Sequence, residues 1–121
     1  MPQPNDYPLN PMQVETEIIR LSSLLEERVS DYTRAIRDAA DAEANWKRDA
    51  AIALLDVINS YTGTKMTVAE REARVEVMTT DGHRAHLMTA ATAKSIKESL
   101  NALDSQIRAL QTLAANHRHM S

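Results

Sequence analysis

The chain has 121 residues, 3% aromatic, with no Phe, two Gly, no Cys and a net charge of -3. That length suits one domain, and the missing Cys excludes a disulfide framework, a thiol nucleophile and a thiolate metal site. The acidic balance argues against a strong nucleic-acid binder, whose affinity rests on neutralising phosphates. A core of Leu, Ile, Val, Ala and Met with so few rings suits helix-on-helix packing.

Residues 1–11 hold all four prolines, Pro2, Pro4, Pro8 and Pro11. Proline lacks an amide donor and disfavours helix in the residue before it, so this stretch reads as an extended lead-in. It has neither the basic region nor the apolar core of a signal peptide. No apolar run anywhere approaches the roughly 20 residues needed to span a bilayer. Both features, with the missing Cys, fit a cytoplasmic protein.

From about Met12 to Tyr61 the chain reads as one long helix. Val14, Ile18, Leu21, Leu25, Val29, Tyr32 and Ile36 follow the three-and-four spacing of one face. Ala35, Ala39, Ala42, Ala50 and Ala53 then make the face narrow around Trp46, and Leu54, Val57, Ile58 and Tyr61 close it. At 1.5 Å per residue this arm extends about 75 Å. Gly63 ends it, because glycine takes the left-handed conformation that stops helices. Thr67 starts the return arm, forming with Glu70 a Thr-x-x-Glu capping box.

The return arm has two parts. Val68 to about Thr79 is a short helix with Val68, Val75 and Met78 apolar. Thr80-Asp81-Gly82-His83 reads as a kink or short break, since Gly and Asp weaken a helix interior. The last helix, from about Arg84 to His117, carries a heptad seam of Ala93, Ile96, Leu100, Leu103, Ile107, Leu110 and Ala114. The expected fold is therefore all-α: a long, coiled-coil-like antiparallel helical hairpin over residues 12–121, with a kink or break near Gly82. Equal arms would bring Gly82 opposite Trp46, a small residue facing a large ring. A single hairpin leaves apolar surface uncovered, which predicts a homo-oligomer. Its candidate interface residues are Leu21, Leu25, Trp46, Leu100, Leu103, Ile107 and Leu110.

Few constellations point to chemistry. His83 and His86 with Asp81 nearby suggest two metal ligands on one helix face, but no third ligand follows at useful spacing; the alternative is a solvated pair beside a kink. His117 and His119 read as a surface pair. Acidic pairs such as Glu26 and Glu27, or Glu70 and Glu72, lack the concave site that catalytic carboxylates need. No phosphate-binding Gly-rich loop is present. The expectation is a non-enzyme without cofactor or metal.

The basic residues carry more. Up to Tyr61 there are six basic and eleven acidic residues, and after it eight basic and six acidic. Lys47 and Arg48 adjoin Trp46, and Lys65 sits on the turn. Arg71, Arg74, Arg84, Lys94, Lys97 and Arg108 follow along the return arm. Arg71 and Arg74 share a face, as do Lys94 and Lys97. They read either as the solvated side of an amphipathic helix or, repeated around an oligomer axis, as a track for single-stranded nucleic acid.

The order of features is similar to a known family. A long helix turns at Tyr61-Thr62-Gly63 and resumes at Thr67-Val68-Ala69-Glu70-Arg71-Glu72. A Leu-rich helix, Leu100-Asn101-Ala102-Leu103 to Ile107-Arg108-Ala109-Leu110, leads to Ala114-Ala115-Asn116. Over roughly Asp38 to Arg118 this resembles the UvsY-like recombination mediator proteins of bacteriophages. The resemblance implies an all-helical oligomer that binds single-stranded DNA and helps load a RecA-type recombinase onto strands coated by single-strand-binding protein. It implies a role in DNA recombination, repair and replication, without catalysis, in the host cytoplasm if the chain is phage-encoded. Relatives carry basic residues just before the Tyr-x-Gly turn, where this chain has Leu55 and Val57. Candidate DNA-binding residues are therefore chosen by position and charge: Lys47, Arg48, Lys65, Arg71, Arg74, Lys94 and Lys97. The alternative expectation is a helical scaffold or adaptor that binds protein partners, as a structural element or a host inhibitor, without DNA affinity.

Overall fold

The computed structural model describes residues 9–60 and 65–120. They form three helices, α1 (Pro11–Ser60), α2 (Val68–Met78) and α3 (Thr80–Met120). No strand occurs among the described residues, as the all-α expectation requires. Among them no helix is long and apolar enough to cross a membrane. The proposed stop at Gly63, the helix end at Tyr61 and most of the proline-rich lead-in lie outside the described residues.

The start of α1 is set by a cap that the hydrophobic spacing alone does not reveal. The Gln13 amide donates to Asn10 Oδ1 at 2.8 Å, and the Asn10 amide donates to Gln13 Oε1 at 2.9 Å. This is the reciprocal logic of a capping box, with Asn and Gln in the two roles. Pro11 follows at the first helical position, where its missing amide costs no hydrogen bond. Val14, four residues after the cap, is fully buried.

Helix α2 starts where its sequence predicts. Thr67 is extended, and its Oγ1 accepts from the Glu70 amide at 3.1 Å. The break between α2 and α3 is a correction. It falls on Thr79, while Thr80, Asp81, Gly82 and His83 are the first residues of α3. Thr79 has φ -115 and ψ 19, well off the helical values. The ladder nevertheless continues on both sides, from the Thr79 amide to Val75 O at 3.0 Å and from the His83 amide to Thr79 O at 2.9 Å. Two adjacent hydroxyls back-bond at this point. Thr79 Oγ1 donates to Val75 O at 2.8 Å, and Thr80 Oγ1 lies 3.0 Å from both Glu76 O and Val77 O. Such back-bonding draws carbonyls out of line and bends helices. Gly82 itself lies inside α3.

Contacts divide the chain into two compact units. Unit 1 comprises Met1–Tyr32 and Ile96–Ser121, and unit 2 comprises Thr33–Ser95. In unit 1, Leu21 of α1 packs with Leu103 and Ile107 of α3, flanked by Leu24, Leu25 and Leu110. All of the expected α3 seam, from Ala93 to Ala114, is buried or half-buried.

Unit 2 uses smaller residues. Ala35, Ala53 and Val57 are buried, with Tyr32 at the edge of unit 1 and Ala39, Ala42, Trp46 and Ala50 half-buried along the same line. The buried line therefore passes through Tyr32 and Ala35, and Val29 and Ile36, expected on it, are exposed. Ile36 stands one residue to the side of a seam position, which turns it about 100° away. Leu54, Ile58, Val68 and Met78 are exposed too.

Candidate functional site

Among the described residues, the ring stacking is concentrated in unit 2. Trp46 comes from the Ala-rich middle of α1, and His83 and His86 stand one turn apart on α3. The His83 ring lies 4.5 Å from the indole centroid at 13°, and the His86 ring 5.1 Å away at 14°. Near-parallel stacking at this distance is a favourable aromatic geometry. Gly82 packs beside it. A Cβ added there would meet Trp46 Cα, Cβ and Cδ1, each at 3.7 Å. The expected meeting of Gly82 and Trp46 thus occurs inside unit 2, with Gly82 in helical conformation.

This arrangement corrects the solvated-pair reading of His83 and His86, both of which are half-buried against Trp46. His86 Nδ1 is buried without a hydrogen-bond partner, an uncommon state for a polar atom. Among the described residues no group of three or more His, Asp or Glu is placed to hold a metal. On the α1 side, Lys47 Nζ lies 2.9 Å from Glu43 Oε1. That hydrogen bond, with the nearby Lys47 charge, holds the Glu43 carboxyl below the usual carboxylate range; partial desolvation opposes the shift and His86 adds a small attraction.

Two clefts open on either side of Thr79. One, of about 250 Å³, is lined by Trp46, Ala50, Glu72, Val75, Glu76, Thr79 and His83. The other, of about 330 Å³, is lined by Asp49, Ile52, Ala53, Asp56, Met78, Thr79, Asp81 and Gly82. Neither is lined by a Lys or Arg. The antiparallel pairing expected from the sequence brings α2 beside the second half of α1, but the clefts themselves depend on how side chains pack around Thr79 and are not legible in it. Unit 1 has a smaller cleft of about 180 Å³ between Pro11, Glu15, Ala114, His117 and Arg118, where His117 Nδ1 is buried without a partner.

The basic candidates divide into two groups. Lys47 is held by Glu43, and Arg48 lies 3.5 Å from Asp49. Arg108 is similarly paired with Asp104 at 3.0 Å. Lys65, Arg71, Arg74, Arg84 and Lys94 of unit 2 make no ion pair among the described residues, and all are exposed except half-buried Arg71. Lys97, in unit 1, is likewise exposed and unpaired among the described residues.

Of the residues expected at an oligomer interface, Leu21, Leu25, Leu103, Ile107 and Leu110 contribute to the core of unit 1. Leu100 is half-buried, and Trp46 is engaged by the two histidines. The large exposed apolar side chains lie elsewhere, among them Ile52, Leu54, Leu55 and Ile58 on α1 and Val77, Leu87 and Met88 on α2 and α3.

No protein-family model matches the chain, and no curated protein or solved structure shows significant similarity to it.

Proposed function

We propose that this chain is a non-enzymatic recombination mediator of the phage type. It is a helical homo-oligomer that binds single-stranded DNA and helps load a RecA-type recombinase in the presence of single-strand-binding protein. In this reading the whole chain is an antiparallel, coiled-coil-like hairpin, and it works in the cytoplasm of a host cell.

One observation supports the DNA contact. Lys65, Arg71, Arg74, Arg84 and Lys94 carry positive charge that no carboxylate of the described residues neutralises. Cations that are free of ion pairs can take up phosphates without first breaking an internal contact. The same reasoning demotes Lys47 and Arg48, whose charges already meet Glu43 and Asp49. The track accordingly runs along α2 and the first half of α3.

Fluorescence anisotropy with labelled single- and double-stranded DNA at low and physiological salt tests this. Preferential single-strand binding should weaken with salt. Arg71→Ala/Arg74→Ala should lower the slope of log affinity against log salt by roughly 0.7 for each phosphate that is no longer neutralised. Lys47→Ala/Arg48→Ala should change it little. No binding at low salt would remove the mediator reading.

A second reading, a scaffold or adaptor for protein partners, is favoured by the exposed apolar residues of unit 2. Leu54, Leu55 and Ile58 are 39%, 59% and 46% exposed at the spacing of one helix face. Both readings require self-association or a partner over that face. A monomeric mass by light scattering at micromolar concentration would sink the oligomer claim. A defined oligomer without DNA affinity would select the adaptor.

A further inference from the structure

The cleft between Trp46 and α2 combines an indole, an imidazole and two carboxylates. Glu72 and Glu76 stand one turn apart on α2 and so share a face. Both are exposed, and neither makes an ion pair among the described residues. Val75 and Ala50 supply apolar lining, and no Lys or Arg lines the cleft. On the α1 side, Lys47 is already held by Glu43.

We infer that this cleft receives an arginine side chain from a basic segment of a partner protein, the guanidinium hydrogen-bonded to Glu72 and Glu76 and its aliphatic stem lying along Val75, Ala50 and the part of Trp46 that lines the cleft. The argument is charge and shape complementarity. A guanidinium presents a planar fork of donors that two carboxylates one turn apart can share, and its weak hydration lets it sit beside apolar side chains. An ammonium is a more strongly hydrated point charge and lacks the fixed fork. The volume of about 250 Å³ suits one side chain rather than a folded element. A phosphate chain is disfavoured here, because both carboxylates would repel it. The lining includes none of the free cations of α2 and α3, so the inference does not rest on the DNA-binding reading.

Trp46 is the only tryptophan, so its fluorescence reports the cleft directly. The full chain is titrated with a capped five-residue peptide carrying two arginines around a leucine, and with its lysine and citrulline counterparts. A saturable change in Trp46 emission is expected with the arginine peptide, a weaker one with lysine and none with citrulline, which keeps the shape and loses the charge. Glu72→Gln/Glu76→Gln should keep its helicity by circular dichroism and lose affinity by roughly tenfold for each carboxylate neutralised. The inference fails if citrulline binds as well as arginine, if the double variant binds unchanged, or if emission stays flat at millimolar peptide. It also fails if emission changes with protein concentration alone and the double variant abolishes that change, because a second copy of the chain would then be the occupant.

Discussion

The two units solve the same packing problem with different residues. Unit 1 closes on Leu21, Leu103 and Ile107, large branched side chains on a heptad seam. Unit 2 closes on Ala35, Ala53 and Val57, with Gly82 against Trp46 and two imidazoles over the ring. Their charges differ as well. Unit 1 carries five basic and eight acidic residues, while unit 2 carries nine of each. Unit 1 reads as a regular helical seam. Unit 2 gathers the helix break, the unusual ring stack, two clefts without cations and most of the free cations. The apolar stripe is regular where it only has to hold helices together, and is interrupted where polar and aromatic groups collect.

The largest test of that contrast is Ile107→Ala. Removing a buried branched side chain from the unit 1 core should cost about 3 kcal/mol, read from the denaturation midpoint with an unchanged slope. Trp46→Ala comes next. Trp46 is only half-buried, so removing its two ring contacts and its packing should cost about 2 kcal/mol. If Trp46→Ala proves the more costly, unit 2 and not unit 1 carries the stability of the chain.

Gly82 gives a smaller effect of opposite sign. The 3.7 Å distances leave ordinary contact room for a methyl group, and the backbone is helical. Gly82→Ala should therefore stabilise by about 0.5–1 kcal/mol through helix propensity and reduced unfolded-state entropy. Gly82→Leu should destabilise by about 1–3 kcal/mol, because the extra atoms must displace Trp46. Thermal unfolding of the pair would show whether the small residue is needed for space or merely tolerated.

The smallest effect is set by pH. Glu17 is hydrogen-bonded to Arg20 at 2.8 Å and 3.0 Å, and Glu43 to Lys47; these bonds depress both carboxyl pKa values. Their contribution is complete above the ordinary value of 4.5 and is lost as pH falls through the lowered folded values. Both pairs lie at the surface, where screening keeps the contribution minor. Helicity should decline slightly on acidification below that range, and Glu17→Gln should remove its part of the decline.

Much of the fold is legible in the sequence because it is local. The Thr67-x-x-Glu70 signature marks the start of α2, and the spacing from Ala93 to Ala114 marks the face of α3. Asn10-Pro11 with Gln13 is an equally good start signal for α1, masked by the surrounding prolines, which suggest only an extended chain. The break is harder to place, because glycine propensity points to Gly82 while the backbone departs from helix at Thr79. The exposure of Val29 and Ile36 depends on the exact rotation of α1. The clefts are out of reach, since the pairing of α2 with α1 can be expected from the sequence but the side-chain packing that leaves space between Trp46, Glu72 and Glu76 cannot. Among the candidate cations, the Glu43–Lys47 spacing already hints that Lys47 is occupied.

The division into units also bears on the order of folding. Leu21 and Ile107 stand near opposite ends of the chain, whereas Trp46 and His83 are less than half as far apart in sequence. Closing the longer loop from a disordered chain costs more entropy, and distant contacts form more slowly. Unit 2 should therefore assemble first and shorten the loop that unit 1 must close. In refolding experiments, substitutions around Trp46 should slow folding, and those around Ile107 should chiefly speed unfolding. The reverse pattern would mean that the leucine seam nucleates the chain.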